Sequence, residues 1–199
     1  MIEDSWLPAT VTAPPMNDEQ FAEFCSEHPD LFFEMTAEGD LIIMPPRYSL
    51  TGARNLEICR QLGNWIIEDG RGTGGDAATG FVLPNGARRS PDAAWTDNKR
   101  IDALGNDGSY WHLCPDFVIE LRSQSDRLPV LRAKMREWID NGAQLAWLID
   151  PERRAVEIFR PGRDPETLTD PQSVLGEGPV AGFTLSLQRI WEPRAPSAK

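Results

Sequence analysis

The chain has 199 residues, with 31 acidic against 20 basic side chains and a formal charge of −11. That length suits one core with modest appendages, and 40% hydrophobic with 26% charged residues excludes a disordered composition. No apolar run nears the roughly 18–20 residues that span a bilayer, and bulk positive charge that would coat nucleic acid is absent. The start lacks a signal-peptide pattern, and Cys25, Cys59 and Cys114 have no CxxC spacing. The sequence therefore predicts a cytoplasmic chain with no membrane partner and no cysteine zinc site.

The charge is unevenly spread. Residues 1–50 hold ten acids and one base, a net of −9, whereas residues 51–199 hold 21 acids and 19 bases, a net of −2. Between 120 and 136, five bases face two acids, for +3. The acidity belongs to the N-terminal segment, and a later stretch is locally basic.

In chain order, residues 1–16, with Pro8, Pro14 and Pro15, read as an extended arm. Asn17 and Gln20 have capping-box spacing and open a helix running to about His28. Residues 31–35 and 41–44 flank Ala-Glu-Gly-Asp as a β-hairpin, closed by Pro45-Pro46. Leu56, Cys59, Leu62, Ile66 and Ile67 recur at helical spacing and predict an amphipathic helix over 52–68. Residues 70–75 read as a glycine-rich turn. Strands are expected at 79–83 and 90–96 around an Asn85-Gly86 hairpin turn. A polar excursion over 97–115 has room for one helical turn. The apolar run 116–121 is a strand, and 126–141 is a helix with a stripe of Leu128, Leu131, Met135 and Trp138, stopped by Gly142. Strands follow at 144–149 and 155–160, with short candidates near 166–168 and 183–187. The order predicts a mixed α/β fold, a central sheet with helices packed against it.

The residues best placed for chemistry are Ser90-Pro91-Asp92 and Glu120-Leu121-Arg122. Alternation along a strand turns Glu120 and Arg122 to one face and Leu121 to the other. With Asp92 on an adjacent strand, two carboxylates would converge on a hard cation such as Mg²⁺, an arrangement suited to phosphodiester hydrolysis. A strand-end aspartate and a surface ion pair explain the same spacing equally well. Gly70–Gly75 lacks the Gly-Lys-Ser/Thr ending of a phosphate loop. Neither His28 nor His112 sits in a nucleophile setting. Trp65, Trp95, Trp138 and Trp147 lie in regular elements, where core packing is expected.

The stretches Gly80-Phe81-Val82-Leu83-Pro84-Asn85-Gly86, Arg89-Ser90-Pro91-Asp92-Ala93-Ala94-Trp95 and Cys114-Pro115-Asp116-Phe117-Val118-Ile119-Glu120-Leu121-Arg122-Ser123 resemble the Uma family of putative restriction endonucleases, a bacterial family within the PD-(D/E)XK nuclease superfamily. So do Lys134-Met135-Arg136-Glu137-Trp138-Ile139 and the block from Asn141 to Pro151. The resemblance runs from about residue 17 to Trp191. It implies a restriction-endonuclease-like mixed β-sheet flanked by helices, with an N-terminal helix and β-hairpin. One domain would span 17–191, after the arm at 1–16 and before a tail at 192–199.

It also implies a nuclease site using Mg²⁺ or Mn²⁺, with Asp92 and Glu120 as metal ligands. Glu57 matches the acid of the superfamily's first helix and is a further candidate ligand. The third motif position, normally lysine, is Arg122, which positions anions but does not readily act as a base. Lys134, on the following helix, fits the substituting lysine, its stem lying along the apolar stripe and its amine reaching the site. Glu34 matches a glutamate usual in the family, and Asn55 stands where relatives carry histidine. Asp116, about 13 Å from Glu120 by strand rise, reads as a strand-end residue, and Asp150 as turn chemistry. The expected partner is nucleic acid, DNA before RNA, and a homodimer would suit two-strand cleavage. The arginine at the third position and the acidic N-terminal segment support an alternative: a catalytically inactive nuclease-fold domain that binds nucleic acid or protein. Action on a non-polymeric phosphate is a third reading.

Overall fold

Two larger β-sheets and a two-stranded one, packed with five α-helices, organise the chain in a computed structural model that describes residues 8–44, 48–105 and 110–193. The first sheet is built early. Helix α1 (Asp18–Glu27) starts at a capping box in which the Gln20 amide donates to Asn17 Oδ1 at 2.9 Å and the Asn17 amide donates to Gln20 Oε1 at 3.0 Å. Strands β2 (Phe32–Met35) and β3 (Leu41–Met44) form the expected hairpin. Within the stretch expected as an extended arm, Ala9–Val11 pairs with β3 as strand β1. Pro45 and Pro46 lie outside the described residues.

Helix α2 (Ser49–Asp69) is longer than its apolar spacing indicated, and its buried face differs. Thr51, Ile58 and Leu62 are buried, whereas Leu56 and Ile67 point outward at 71% and 82% exposure. Gly70, at φ +69°, ends the helix. The segment read as a glycine-rich turn is instead strand β4 (Gly72–Asp76), at one edge of the second sheet. Glycine is poor in strands, but here it permits close approach. A Cβ on Gly72 would lie 2.2 Å from Trp95, and one on Gly74 would lie 2.7 Å from Ile66.

The hairpin expected around Asn85-Gly86 is β5 (Phe81–Val82) with β6 (Arg88–Arg89). It joins the first sheet, whose order is β1-β3-β2-β6-β5. The stretch read as one strand over 90–96 breaks at Pro91, where proline has no ladder donor. Beyond it, β7 (Ala93–Asp97) belongs to the second sheet. Asp92 thus sits on the crossover between sheets. Helix α3 (Asn98–Asp102) is the one turn expected in the polar excursion.

Strands β8 (Phe117–Leu121), β9 (Leu145–Asp150) and β10 (Ala155–Phe159) are buried throughout. Helix α4 (Leu128–Asp140) makes the crossover that parallel pairing of β8 with β9 requires. With β11 (Glu166–Thr169), the mixed sheet runs β11-β10-β9-β8-β7-β4. Near the C-terminus, β12 (Ser173–Leu175) and α5 (Gln188–Trp191) are elements not foreseen, while β13 (Thr184–Ser186) falls within the candidate at 183–187.

The second sheet separates two cores. Phe117, Ile119, Leu121 and Trp147 pack with Ile58, Leu62 and Phe183 on one face. Val118, Ala146 and Leu148 pack with Met135 and Trp138 of α4 on the other. Period-two alternation therefore delivers Glu120, two residues after Val118, to the α4 face. That placement is what makes a site.

Candidate functional site

Asp92 and Glu120 lie on the wall of a cavity of about 480 Å³, both 4% exposed. Asp92 follows Pro91, and its Oδ2 accepts a 2.6 Å hydrogen bond from the Leu121 amide, tying the crossover to the end of β8. Glu120 faces α4, where Trp138 Nε1 donates to its Oε1 at 2.9 Å. Lys134 Nζ stands 2.8 Å from the same oxygen and 2.8 Å from Glu34 Oε1. One lysine thus joins a carboxylate of the first sheet to one of the second.

Glu34 is 2% exposed and is held further by Arg89 Nη1 at 3.1 Å and the Ser90 amide at 3.1 Å. Arg89 also donates through Nε to Glu137 Oε2 at 2.7 Å. Glu34, Asp92, Glu120, Asp126 and Glu137 all line the cavity, against the two cations Arg89 and Lys134.

These contacts set the charge states. Burial and the neighbouring Asp92 and Glu34 carboxylates outweigh Lys134 and push Glu120 up to about 7. Burial also works against ionised Glu34, but Lys134 and Arg89 overcome it and hold Glu34 below the usual range. Burial opposes the charge on Lys134 as well, yet Glu120 and Glu34 keep its ammonium more firmly protonated than an ordinary lysine.

The donor set fits a hard divalent cation. All the candidate ligands are carboxylate oxygens, and the wall carries more carboxylates than cations. Among the described residues no three His, Cys, Asp or Glu side chains converge as a metal cage. Two carboxylates with the remaining positions left to water or phosphate is nonetheless the habit of Mg²⁺.

Two sequence candidates lie elsewhere. Arg122 was expected to share a face with Glu120, but β8 ends at Leu121 and the alternation ends with it. The Arg122 guanidinium instead meets Asp150 at 2.9 Å and Glu152 at 3.3 Å, and it is absent from the cavity wall. Glu57 pairs with Arg60 at 2.6 Å and accepts from Gln61 Nε2 at 3.0 Å. Since Gln61 also donates to the Ser186 carbonyl at 2.9 Å, this side of α2 looks to β13 rather than the cavity. Asp116 and Asp150 take structural places. Asp116 accepts from Arg100 at 2.6 Å and Gln144 at 2.9 Å, and Asp150 accepts the Glu152 and Arg153 amides at 3.1 and 3.2 Å.

The sequence reading missed Arg89 and Glu137 and treated Trp138 as packing alone. A doubled arginine directly before Ser-Pro-Asp was the available sign. Trp138 is fully buried, and its indole N–H still has Glu120 to serve.

No helix among the described residues is long and apolar enough to cross a membrane. No curated protein matches the chain. A crystal structure titled as that of a "putative nuclease belonging to DUF820", from Anabaena variabilis, superposes with a TM-score of 0.73 at 19% identity. The match covers 89% of this chain and 98% of that one, and it shows the shared fold. The family described as "Putative restriction endonuclease", Uma2, matches residues 18–188. With most of its length matched and the restriction-endonuclease-like architecture in place, the chain belongs to the Uma2 family.

Proposed function

We propose that this chain is a divalent-metal-dependent nuclease that hydrolyses phosphodiester bonds in DNA or RNA, its catalytic unit spanning residues 17–191. The observation that carries this reading is the meeting of buried Asp92 and Glu120 with Lys134 on one cavity wall. Asp92 and Glu120 would hold Mg²⁺ or Mn²⁺, which when bound polarises the phosphate and supplies an activated water.

The chain's own groups have distinct duties. The Leu121 amide fixes Asp92, and the Trp138 indole fixes Glu120, so both carboxylates are oriented before any ligand arrives. Glu120 and Glu34 favour the ammonium form of Lys134, and as a cation it orients water by donation and stabilises charge developing on the phosphate. Arg89 holds Glu34 in place, which keeps Lys134 aimed at Glu120. Arg122 braces the end of β8 through Asp150 and does not touch the phosphate.

Cleavage of labelled oligonucleotides should need Mg²⁺ or Mn²⁺ and disappear in Asp92→Asn, which keeps an acceptor for the Leu121 amide. Calorimetric titration should show Mn²⁺ binding to the wild type and not to that variant. Cleavage that persists in EDTA or in Asp92→Asn rejects the assignment. A second reading rests on Lys134 being engaged by two carboxylates at once. Oligonucleotide binding with neither Mn²⁺ binding nor cleavage would make the domain a nuclease fold without turnover.

A further inference from the structure

The cavity that holds Asp92 and Glu120 has two unlike walls. The ionic wall offers a nucleic acid little to grip. Of its cations, Arg89 is buried and Lys134 is mostly covered, and each is already shared between two carboxylates. Cations facing phosphates hold duplex and single strands alike, and here carboxylates outnumber cations, so a preference between the two depends on the rest of the lining.

Beside the ionic wall, on the same face of β2 and β3 as Glu34, the lining turns apolar and aromatic. Alternation along β2 turns Phe32 to the same face as Glu34, and antiparallel register sets Met44 beside Phe32 and Ile42 beside Glu34. Tyr48, before the first turn of α2, completes that side. Phe32 and Tyr48 line the cavity yet remain 50% and 57% exposed, so their rings stand at its mouth. By strand rise, Phe32 is about 7 Å from Glu34, whose carboxylate shares Lys134 with Glu120. A ring surface therefore stands about one nucleotide from the carboxylate floor.

In a duplex each base face is covered by its neighbours, so such rings have nothing to stack on until a strand is opened. A cavity of about 480 Å³ is also the size of a pocket that encloses one small group. Resting on the nuclease reading of the same site, we infer that the strand entering it is unpaired, with a base lying against Phe32 and Tyr48 while the adjoining phosphate reaches Asp92 and Glu120. Recognition is through base stacking and is indifferent to base identity. Sugar type is left to the experiment.

Fluorescence anisotropy of the full chain in EDTA, with short labelled single-stranded DNA, single-stranded RNA and duplex DNA, tests this directly. Single strands should bind at least about tenfold more tightly than the duplex of the same sequence, and the DNA and RNA arms report which sugar is preferred. The double variant Phe32→Ala/Tyr48→Ala should weaken single-strand binding by about tenfold to a hundredfold. Phe32→Trp should retain binding, and thermal melts should show that all variants remain folded. In Mn²⁺, single-stranded or bubble substrates should be cut in preference to duplex. Equal binding of duplex and single strand, or single-strand binding unaffected by loss of both rings, overturns the inference while leaving metal-dependent cleavage of duplex intact. Ring-dependent single-strand binding without cleavage in Mn²⁺ supports it and defeats the nuclease reading instead. Binding of none of the three probes overturns the inference, and cleavage in Mn²⁺ then decides the nuclease reading by itself.

Discussion

Replacing Lys134 by methionine keeps the stem that packs along α4 and removes only the charge. The consequences fall unequally on its two partners, whose side chains are 3% and 6% exposed for Glu34 and Glu120. Glu34 retains Arg89 and the Ser90 amide, so its loss is that of one charged hydrogen bond, about 1–2 kcal/mol. Glu120 retains the Trp138 indole but loses its cation. In the wild type its folded-state pKa, about 7, already exceeds its ordinary value of 4.5, so stability falls as pH rises between those values and then levels. Without Lys134 the folded carboxyl resists ionisation further, and stability keeps falling above pH 7. At about 1.4 kcal/mol per pH unit, the extra loss at pH 8.5 is about 2 kcal/mol. At pH 5.5 Glu120 is protonated in both proteins, and only the Glu34 contribution remains. Urea denaturation in EDTA should therefore show Lys134→Met destabilised by about 1–2 kcal/mol at pH 5.5 and about 3–4 kcal/mol at pH 8.5, the latter within the range for breaking a buried ion pair. The corresponding fall in Tm at pH 8.5 is roughly 6–16 °C. Adding Glu120→Gln should remove the pH-dependent part. An equal loss at both pH values would refute the reasoning, because it would mean that Glu120 does not depend on Lys134 to carry its charge.

Two further substitutions test the placement of other residues. Arg122→Ala should lower stability by about 2 kcal/mol, since it strips a partner from buried Asp150, and should leave Mn²⁺ affinity by calorimetry unchanged; lost affinity with an unchanged melt would return Arg122 to the site. Gly72→Ala, whose Cβ would meet Trp95 at 2.2 Å, should cost about 1–3 kcal/mol in thermal denaturation, and a neutral result would mean that the edge strand moves freely.

The parts of the fold legible in the sequence are those where one local signal dominates. Strands β8 and β9 are covered on both faces by separate cores, so they appear as nearly unbroken apolar runs. Against that background Glu120 stands out as an acid with no solvent to explain it. The Asn17 capping box is equally local and equally plain. What failed depended on distant partners. β4 is a strand because Trp95 and Ile66 need glycine beneath them, which the residues 70–75 do not reveal. The run through 79–96 divides between two sheets at Pro91. Arg122 was carried onto the Glu120 face by a period that holds only while the strand lasts. Glu34 lies in the acidic segment that the charge partition set apart from the motif-bearing core, and strand order alone brings it to Lys134. The family resemblance had singled it out; its spacing had not.

The ion pair between Glu34 and Lys134 joins residues 100 positions apart. On a ribosome, β2 emerges well before α4, and contacts of such long sequence separation form late. Until α4 is out and seated, Glu120 has neither its lysine nor its indole, and the cavity lacks a wall. A chain that ends before α4 therefore holds Glu120 without the cation and the indole that fix it in the full fold.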